Sequence, residues 1–170
     1  MDSPDLVSDR ITLRLIRSSD VDIIFALRSN AEVQKYIDRD PYTRIEEAEV
    51  QVKKVLGLMK SKKSVVWIIC MNDSNRKMGS ICLWNFSADR NTAEVGYDML
   101  PENQGKGYMS EALKLVLKYG KTILNLIQIE AFTSRYNLAS MALLENNDFL
   151  WEMERTDKDN QDNRIYVKIL

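Results

Sequence analysis

The sequence contains no histidine among its 170 residues. Histidine is the most frequent general base in enzymes and a common metal ligand, so mechanisms built on Ser-His-Asp or Cys-His groups are excluded. Carboxylates, hydroxyls, amines or water must carry any proton transfer. We expect no metal site, because the commonest nitrogen ligand is absent.

Cysteine is scarce as well. Cys70 and Cys82 are the two cysteines, both in apolar segments typical of strands, and their spacing fits neither a disulfide framework nor a zinc site. Free thiols of this kind indicate a reducing compartment, so we predict a cytoplasmic protein. The acidic residues 1–10 include no apolar secretory core, and no apolar run approaches the ~18 residues that span a bilayer. We expect no membrane partner.

An excess of charge of one sign is also missing. The chain has 24 basic and 25 acidic side chains, a formal net charge of -1, so it lacks the basic footprint of a non-specific nucleic-acid binder. We expect no nucleic-acid partner. The length suits one domain spanning residues 1–170, and we find no repeat, low-complexity tract or linker.

The spacing of apolar residues predicts alternating strands and helices. Polar and apolar residues alternate in strands, whereas 3.6-residue apolar stripes and capping residues mark helices. Thr43 and Glu46 form a predicted capping box at the start of a long helix. The predicted order is a strand at 10–16, helices from 19 and at 32–36, the long helix from 43, strands at 64–71, 77–86 and 92–100, a helix from 108, a strand at 127–133, a helix from 137, and a closing hairpin that ends at 165–170. This order indicates a mixed α/β layer structure.

The segment "NQGKGYMSEAL", residues 103–113, lies between a predicted strand and a predicted helix. It differs from a nucleoside-triphosphate loop, which has four residues between its first glycine and a Gly-Lys-Ser/Thr sequence. It also lacks the third glycine of a dinucleotide fingerprint. Glycines before a helix can still align backbone N–H groups toward a phosphate. An ordinary strand-to-helix turn is equally compatible with the spacing alone.

Three segments together resemble a known family. Gln104-x-x-Gly107-x-Met109 resembles motif A of the GNAT superfamily of acyl-CoA-dependent N-acyltransferases. The preceding "AEVGYDMLPE" is similar to the strand that this family places beside pantetheine, and "NLASMALLENNDF" is similar to its Asn-x-x-Ser helix. With "RITLRLIRSSDVD", the order most resembles the ribosomal-protein alanine and serine N-acetyltransferases. Met109 departs from the usual small residue, and Asp148 replaces a glycine at a position where Asp can adopt the left-handed conformation.

The resemblance implies a GNAT fold: a mostly antiparallel mixed sheet flanked by helices and splayed between the fourth and fifth strands. It implies acetyl-CoA as co-substrate, with pyrophosphate on the backbone amides of residues 104–109, pantetheine against the strand end, and Asn137 bonding the pantetheine arm. Asn137 is also a natural helix N-cap. The implied coenzyme-binding residues are Met99, Leu100, Gln104, Gly105, Lys106, Gly107, Tyr108, Met109 and Asn137. Lys106 is expected to be a peripheral charge.

Acyl transfer to an amine requires the neutral amine. A lysine amine is neutral in about one molecule in 2,500 at pH 7, a cost of roughly 4–5 kcal/mol, whereas an α-amine costs about 1 kcal/mol. An α-amine therefore makes less demand on a general base. Glu94, on the strand beside the implied coenzyme, is the candidate base; the alternative is an ordinary exposed strand glutamate.

The departing thiolate benefits from a proton donor. Many GNAT members have a tyrosine seven residues after the helix asparagine, a position occupied here by Leu144. Ser140 is the nearest hydroxyl in the subfamily pattern, and it could equally be a helix-capping residue. Tyr136 is an alternative donor. Cys70 and Cys82 could form an acyl-enzyme, but buried thiols in strands usually serve packing.

The predicted function is direct transfer of acetyl from acetyl-CoA to a primary amine, with a protein N-terminal α-amine as the leading acceptor. Polyamines and aminoglycosides are alternatives, and acidic residues in the loops at 38–42 and 155–164 favour a cationic acceptor. Trp67, Trp84 and Tyr97 could line an acceptor channel or belong to the core. A non-catalytic acyl-CoA-binding module is the second class. A monomer or homodimer is expected.

Overall fold

The computed structural model describes residues 5–170. Residues 1–4, part of the acidic N-terminal stretch considered above, lie outside the described residues. The strands are β1 (Leu6–Val7), β2 (Ile11–Leu15), β3 (Ser64–Met71), β4 (Lys77–Trp84), β5 (Thr92–Met99), β6 (Gln128–Ser134), β7 (Leu150–Trp151) and β8 (Asn163–Ile169). The helices are α1 (Val21–Ser29), α2 (Ala31–Gln34), α3 (Ile45–Lys60), α4 (Tyr108–Thr122) and α5 (Leu138–Glu145), with short 3-10 turns at Ser18–Asp20 and Pro101–Asn103.

The described strands form one sheet in the order β1-β2-β3-β4-β5-β6-β8-β7. Every neighbouring pair is antiparallel except β5 and β6, which are parallel. This sheet and its flanking helices confirm the predicted mixed α/β GNAT fold. The predicted closing hairpin is also present, as β7 paired with β8.

Alternate residues of each strand supply two cores, one on each face of the sheet. On one face, Trp67 and Ile81 pack with α4 and α5 residues such as Leu113 and Leu144. On the other face, Ile68 and neighbouring strand residues pack with α1 and α3. Residues of the same strand therefore point alternately toward α4 and α5 or toward α1 and α3.

Local capping differs from the sequence prediction at α3. The predicted Thr43–Glu46 capping box is wrong by one residue, because the helix begins at Ile45 and Glu47 is the third helical position. The Glu47 carboxylate accepts the N–H groups of Thr43 and Arg44, both at 2.9 Å. A carboxylate that reaches back to these amides satisfies donors left open by the helix start.

Candidate active site

The sheet opens between β5 and β6. The two strands pair only from Thr92–Glu94 to Gln128–Glu130, and their later residues have no ladder partners in each other. Counted from the strand predicted at 10–16, these are the fourth and fifth strands, so the predicted splay is confirmed. The opening belongs to a cleft of about 1380 Å³ that is lined from both faces of the sheet.

The loop before α4 forms one wall of the cleft. Gly105 and Gly107 have φ values of +71° and +84°, in the left-handed region that favours glycine. Gly107 is the N-cap of α4 and has no side chain to bond the first N–H groups of the helix. The cleft lining includes Gln104, Gly105, Gly107, Tyr108 and Met109. This arrangement offers backbone donors and the positive end of a 15-residue helix to an anion.

Asn103 adds a side-chain donor beside this loop. It is 1% exposed and lines the cleft, and its Oδ1 accepts a hydrogen bond from Arg76 at 3.0 Å. Its buried Nδ2 has no hydrogen-bond partner. A buried donor without a partner is costly, and a bound acceptor oxygen would satisfy it.

Lys106 lies outside the cleft lining, although both its neighbours line it. Its Nζ donates to the Glu102 carbonyl at 2.7 Å. Its own carbonyl accepts from Arg10 Nη1 at 3.0 Å, and Arg10 also forms an ion pair with Glu111 and lies over the Tyr108 ring. Arg10 thus fastens the loop to the N-terminal part of the chain. No local pattern predicts this contact, because 96 residues separate its two partners.

The end of β5 presents a free backbone edge on the side of the split. Backbone groups alternate between the two edges of a strand, so Tyr97 and Met99 face the open side. The Met99 carbonyl accepts from Gln104 Nε2 at 2.8 Å. Leu100 differs, because its N–H donates to Met78 and its carbonyl accepts from Asn103, each at 2.9 Å. Pairing of the Met99 backbone with pantetheine therefore stays a prediction, whereas the internal bonds of Leu100 leave its backbone groups no free partner for the same role.

The start of α5 brings two hydroxyls together. Asn137 caps the helix by accepting the Ser140 N–H at 3.1 Å, as predicted, and no described residue accepts a hydrogen bond from its Nδ2. Ser140 is buried, and its Oγ lies 2.7 Å from the Tyr97 hydroxyl. Burial raises the pKa of Tyr97 to about 12, against the opposing hydrogen bond from Ser140. Tyr136, the alternative donor, is 56% exposed and its hydroxyl is bonded by Arg135.

Glu94 lies on the opposite face, toward α1 and α3. It pairs with Trp84 on β4 and with Glu130 on β6. Burial, together with the nearby carboxylates of Asp157 and Glu130, raises the pKa of Glu94 to about 7, against the opposing 3.4 Å hydrogen bond from Asn85. A carboxyl with a pKa near neutrality can accept and release a proton at physiological pH.

Arg155 organises the acidic group around Glu94. Its guanidinium makes two hydrogen bonds to Glu130, at 2.7 and 3.0 Å. Arg155 thereby holds the Glu130 carboxylate by two charge-assisted hydrogen bonds at the position that pairs with Glu94. The sequence placed Arg155 only in a charged loop, since its pairing depends on how the closing hairpin folds over β6.

The cysteines and aromatic strand residues have different environments. Cys70 is buried, and burial raises its thiol pKa. Burial also raises the pKa of Cys82, to about 12.

The aromatic strand residues differ in their access to the cleft. Trp67 is fully buried in the core and does not line the cleft, whereas Trp84 is 45% exposed and does line it. The predicted acceptor-channel role is therefore excluded for Trp67 and remains open for Trp84 and Tyr97.

Across residues 5–170, no cluster of three or more His, Cys, Asp or Glu side chains is arranged to hold a metal ion. In the same part of the chain, no helix has the length and apolar character required to cross a bilayer.

A mixed sheet that is open between two parallel strands, with a glycine loop and helix N-terminus at the opening, defines a GNAT-type acyltransferase. The acetyltransferase (GNAT) domain model matches residues 10–150, and the chain belongs to this family. It is accordingly an N-acetyltransferase enzyme. The superfamily resemblance drawn from the motifs is confirmed.

Two relatives indicate the range of the family. The chain is 33% identical to the uncharacterized N-acetyltransferase YoaA of Bacillus subtilis over 83% of its own length and 80% of that protein. It is 26% identical to a spermidine N(1)-acetyltransferase of Vibrio cholerae, over 86% of this chain and 82% of that one.

Solved structures agree with the fold. A ribosomal L7/L12 alpha-N-protein acetyltransferase in complex with coenzyme A aligns with a TM-score of 0.85 at 23% identity, covering 98% of each chain. The ribosomal-protein-S5-alanine acetyltransferase of Vibrio fischeri aligns with a TM-score of 0.84 at 20% identity, covering 98% of this chain and 97% of that one.

Proposed function

We propose that this enzyme transfers acetyl from acetyl-CoA directly to the α-amine of an acceptor, with a protein N-terminus as the leading acceptor. One observation carries the proposal: the cleft joins a carboxyl of near-neutral pKa on one face of the sheet to a buried hydroxyl pair on the other. Amine and thioester can approach from opposite faces and meet at the split.

The residues beside the split fit coenzyme A. The pyrophosphate would accept hydrogen bonds from the backbone amides of residues 104–109, with the Asn103 Nδ2 as an additional donor. Pantetheine would run along the open edge of β5 at Met99, opposite Asn137. Lys106 contributes charge from outside the lining. When bound, acetyl-CoA supplies the activated acetyl thioester.

Glu94 would accept the amine proton, directly or through a water molecule. With its pKa at about 7, roughly half of the Glu94 side chains are ionised at neutral pH. An α-amine needs only about 1 kcal/mol to become neutral at pH 7, so a base of this strength is matched to it. A lysine amine needs roughly 4–5 kcal/mol and would require a stronger base.

Ser140 would donate its hydrogen bond, and then its proton, to the departing sulfur on the other face, and it would recover a proton from solvent through the Tyr97 hydroxyl. Its Oγ is already within 2.7 Å of the Tyr97 hydroxyl. Tyr97 stays protonated because its pKa is raised, so it can donate to Ser140 and orient the serine hydroxyl toward the cleft. Tyr97 thus supports Ser140 on the side of the cleft where the family pattern would put a tyrosine at position 144.

Direct transfer is favoured over an acyl-enzyme. A nucleophilic cysteine needs an accessible thiolate of low pKa. Burial raises the thiol pKa at Cys70 and Cys82 instead.

A cationic small-molecule acceptor such as a polyamine is the second candidate. Asp157 and Asp159 line the same cleft as Glu94, and these carboxylates would attract an extended cation. The similarity to a spermidine N(1)-acetyltransferase points the same way.

A free-thiol assay tests the proposed function. The protein would be incubated with acetyl-CoA and, separately, N-terminal peptides blocked at lysine, spermidine and an aminoglycoside. We expect thiol release that depends on the peptide and is faster than with either small molecule. Coenzyme A binding without acceptor-dependent thiol release would instead indicate a non-catalytic acyl-CoA-binding module.

The coenzyme site has its own test, the substitution Gly107→Asp. The new carboxylate would face the pyrophosphate, and a Cβ at this left-handed position would lie 3.1 Å from Arg10 Nη2. We expect calorimetric affinity for coenzyme A to fall at least 10-fold. Gly57→Asp is the control, because a Cβ there meets nothing within 4 Å and Gly57 does not line the cleft. Equal affinity in both variants would refute the phosphate assignment.

A further inference from the structure

Arg28 has an unusual environment in the part of the cleft that faces α1 and α3. It lies in α1 and lines the cleft, and its Nε is buried without a hydrogen-bond partner. No residue within 5–170 forms an ion pair or hydrogen bond with its guanidinium. Arg28 is partly buried, and its Nε–H is a donor shut off from solvent. A buried donor without an acceptor costs free energy, so a ligand oxygen in the cleft would stabilise this arrangement.

A second buried polar group without a partner belongs to the lining of the same cleft. Ser64 is 5% exposed and lines the same cleft, and its Oγ has no hydrogen-bond partner. Ser64 pairs with Trp84, which in turn pairs with Glu94. Directly opposed residues of antiparallel strands share a face, so Ser64 lies in the same row as Glu94.

The neighbouring row of paired residues on this face contains Cys82, and the charge of Arg28 acts on the Cys82 thiol. Cys82 pairs with Gly96 there, one alternate residue from Glu94. Glu94 and Asp98 both raise the pKa of the Cys82 thiol and Arg28 lowers it, so all three charges act on one sulfur. Asp98 already accepts a 2.5 Å hydrogen bond from Ser80. Arg28, on α1 above this row, therefore keeps a buried donor that no described residue bonds.

Adjacent rows on one face of a sheet are roughly 7 Å apart along the strand. Side chains from two adjacent rows can therefore contact different atoms of one small ligand. A ligand with an amine at Glu94 and a hydrogen-bond-accepting oxygen a few bonds away would satisfy both Glu94 and Arg28. Ser64 lies two strands from Glu94, beyond Trp84, so its hydroxyl would meet a more distant part of the same ligand.

We propose that Arg28 binds the carbonyl or carboxylate oxygen adjacent to the acceptor amine, so that the acceptor is an α-amino acyl compound rather than a polyamine. This inference rests on the proposed function, because it specifies the acceptor of the same cleft. A peptide N-terminus and a free amino acid share this chemistry. A polyamine has no acceptor oxygen and would bring a second cation toward Arg28.

The test uses Arg28→Met, which keeps most of the side-chain volume and removes every donor. Arg17→Met is the matched control, because it makes the same chemical change at an exposed arginine outside the cleft. Four acceptors are compared: a peptide beginning with alanine, free alanine, spermidine, and isopropylamine, which replaces the carbonyl of an alanyl group by a methyl.

We expect Arg28→Met to raise KM for the alanyl peptide about 10- to 100-fold, the loss typical of a hydrogen bond to a charged group. Its kcat, its affinity for coenzyme A and its rate with isopropylamine should change less than twofold, and its rate with spermidine should rise or stay the same because a repelling charge is removed. Arg28→Lys should recover part of the peptide KM. Comparison of the peptide with free alanine then identifies which source of the α-amino acyl group is preferred.

A peptide KM within twofold of the parent in Arg28→Met would overturn the inference, as would an equal loss for isopropylamine. If the parent transfers acetyl to none of the acceptors, the proposed function fails, and the inference is decided by binding alone. The N-acetylated peptide would be titrated into protein saturated with coenzyme A. Weaker binding to Arg28→Met than to Arg17→Met supports the role of Arg28, and equal binding refutes it.

Discussion

Replacement of Glu94 by glutamine removes the proposed base and leaves the size of the side chain almost unchanged. Glutamine can keep a hydrogen bond near Asn85, but it cannot accept a proton from the amine. It also removes a carboxyl whose ionisation is opposed by burial and by Asp157 and Glu130. The substitution should therefore reduce catalysis and stabilise the fold at alkaline pH.

The two effects have different magnitudes and pH dependences. General-base catalysis contributes typically 10²–10⁴-fold, and we expect about 100-fold in kcat/KM at pH 7 because an α-amine is easily deprotonated. The deficit should shrink above pH 8, where the free amine is neutral.

The effect on stability follows from the pKa of Glu94, which has an ordinary value of 4.5 and is about 7 in the folded protein. The folded state therefore binds the proton more tightly than the unfolded state. Stability is lost as pH rises through this window, by on the order of 1–2 kcal/mol after allowance for solvent screening.

Steady-state thiol release across pH 6–9 and chemical denaturation at pH 5 and pH 8 measure both effects. Glu49→Gln is the control, since Glu49 is exposed on α3 and outside the cleft. The reasoning is refuted if Glu94→Gln retains parental kcat/KM at pH 7. A constant activity deficit from pH 6 to 9 would also contradict a role in taking the amine proton.

Three further predictions concern the surroundings of the site. Glu130→Gln removes a charge that raises the Glu94 pKa, so the acidic limb of the pH–rate profile should move to lower pH; an unchanged or higher limb contradicts the coupling. Ser140→Ala should lower kcat at least 10-fold without weakening coenzyme A binding, measured by kinetics and calorimetry, and parental kcat would exclude the proton-donor role. Asp20 is fully buried, and hydrogen bonds from Arg14, the Arg17 amide and Lys77 outweigh burial and lower its pKa to about 2. The contribution of Asp20 to stability should therefore disappear as pH falls from about 4 to 2. Asp20→Asn should cost about 3–5 kcal/mol at pH 7 in a denaturant titration, and a loss below 1 kcal/mol would contradict the importance of this ion pair.

Local sequence was sufficient for the parts of the site that depend on neighbouring residues. Gly105 and Gly107 sit in a turn that needs positive φ, and Asn137 caps the helix that follows it. Glu94 was predicted as the base from its place on a strand, although its raised pKa depends on burial and on the nearby carboxylates of Glu130 and Asp157. The splay of the sheet was implied by family resemblance, because the strands themselves carry no pattern for it.

Contacts between elements that are distant along the chain could not be predicted from the sequence. Tyr97 and Ser140 are 43 residues apart and meet because α5 packs on the face of β5 to which Tyr97 points. In the sequence, Arg28 has the pattern of an ordinary polar residue on an amphipathic helix, and its position in the cleft lining depends on how α1 packs on the sheet. The capping box of α3 was predicted one residue too early because Glu46 and Glu47 are both acidic residues suited to that role. Only the observed start of the helix at Ile45 shows that Glu47 occupies the third helical position.

The most direct test of direct acetyl transfer to an α-amine is mass spectrometry of the acceptor itself. A peptide with a free N-terminus and one lysine would be incubated with isotopically labelled acetyl-CoA and the protein, then fragmented to locate the label. The proposed function predicts the labelled acetyl group on the α-nitrogen and none on the protein. Label on the lysine side chain, on Cys70 or Cys82, or absent from the peptide would contradict it.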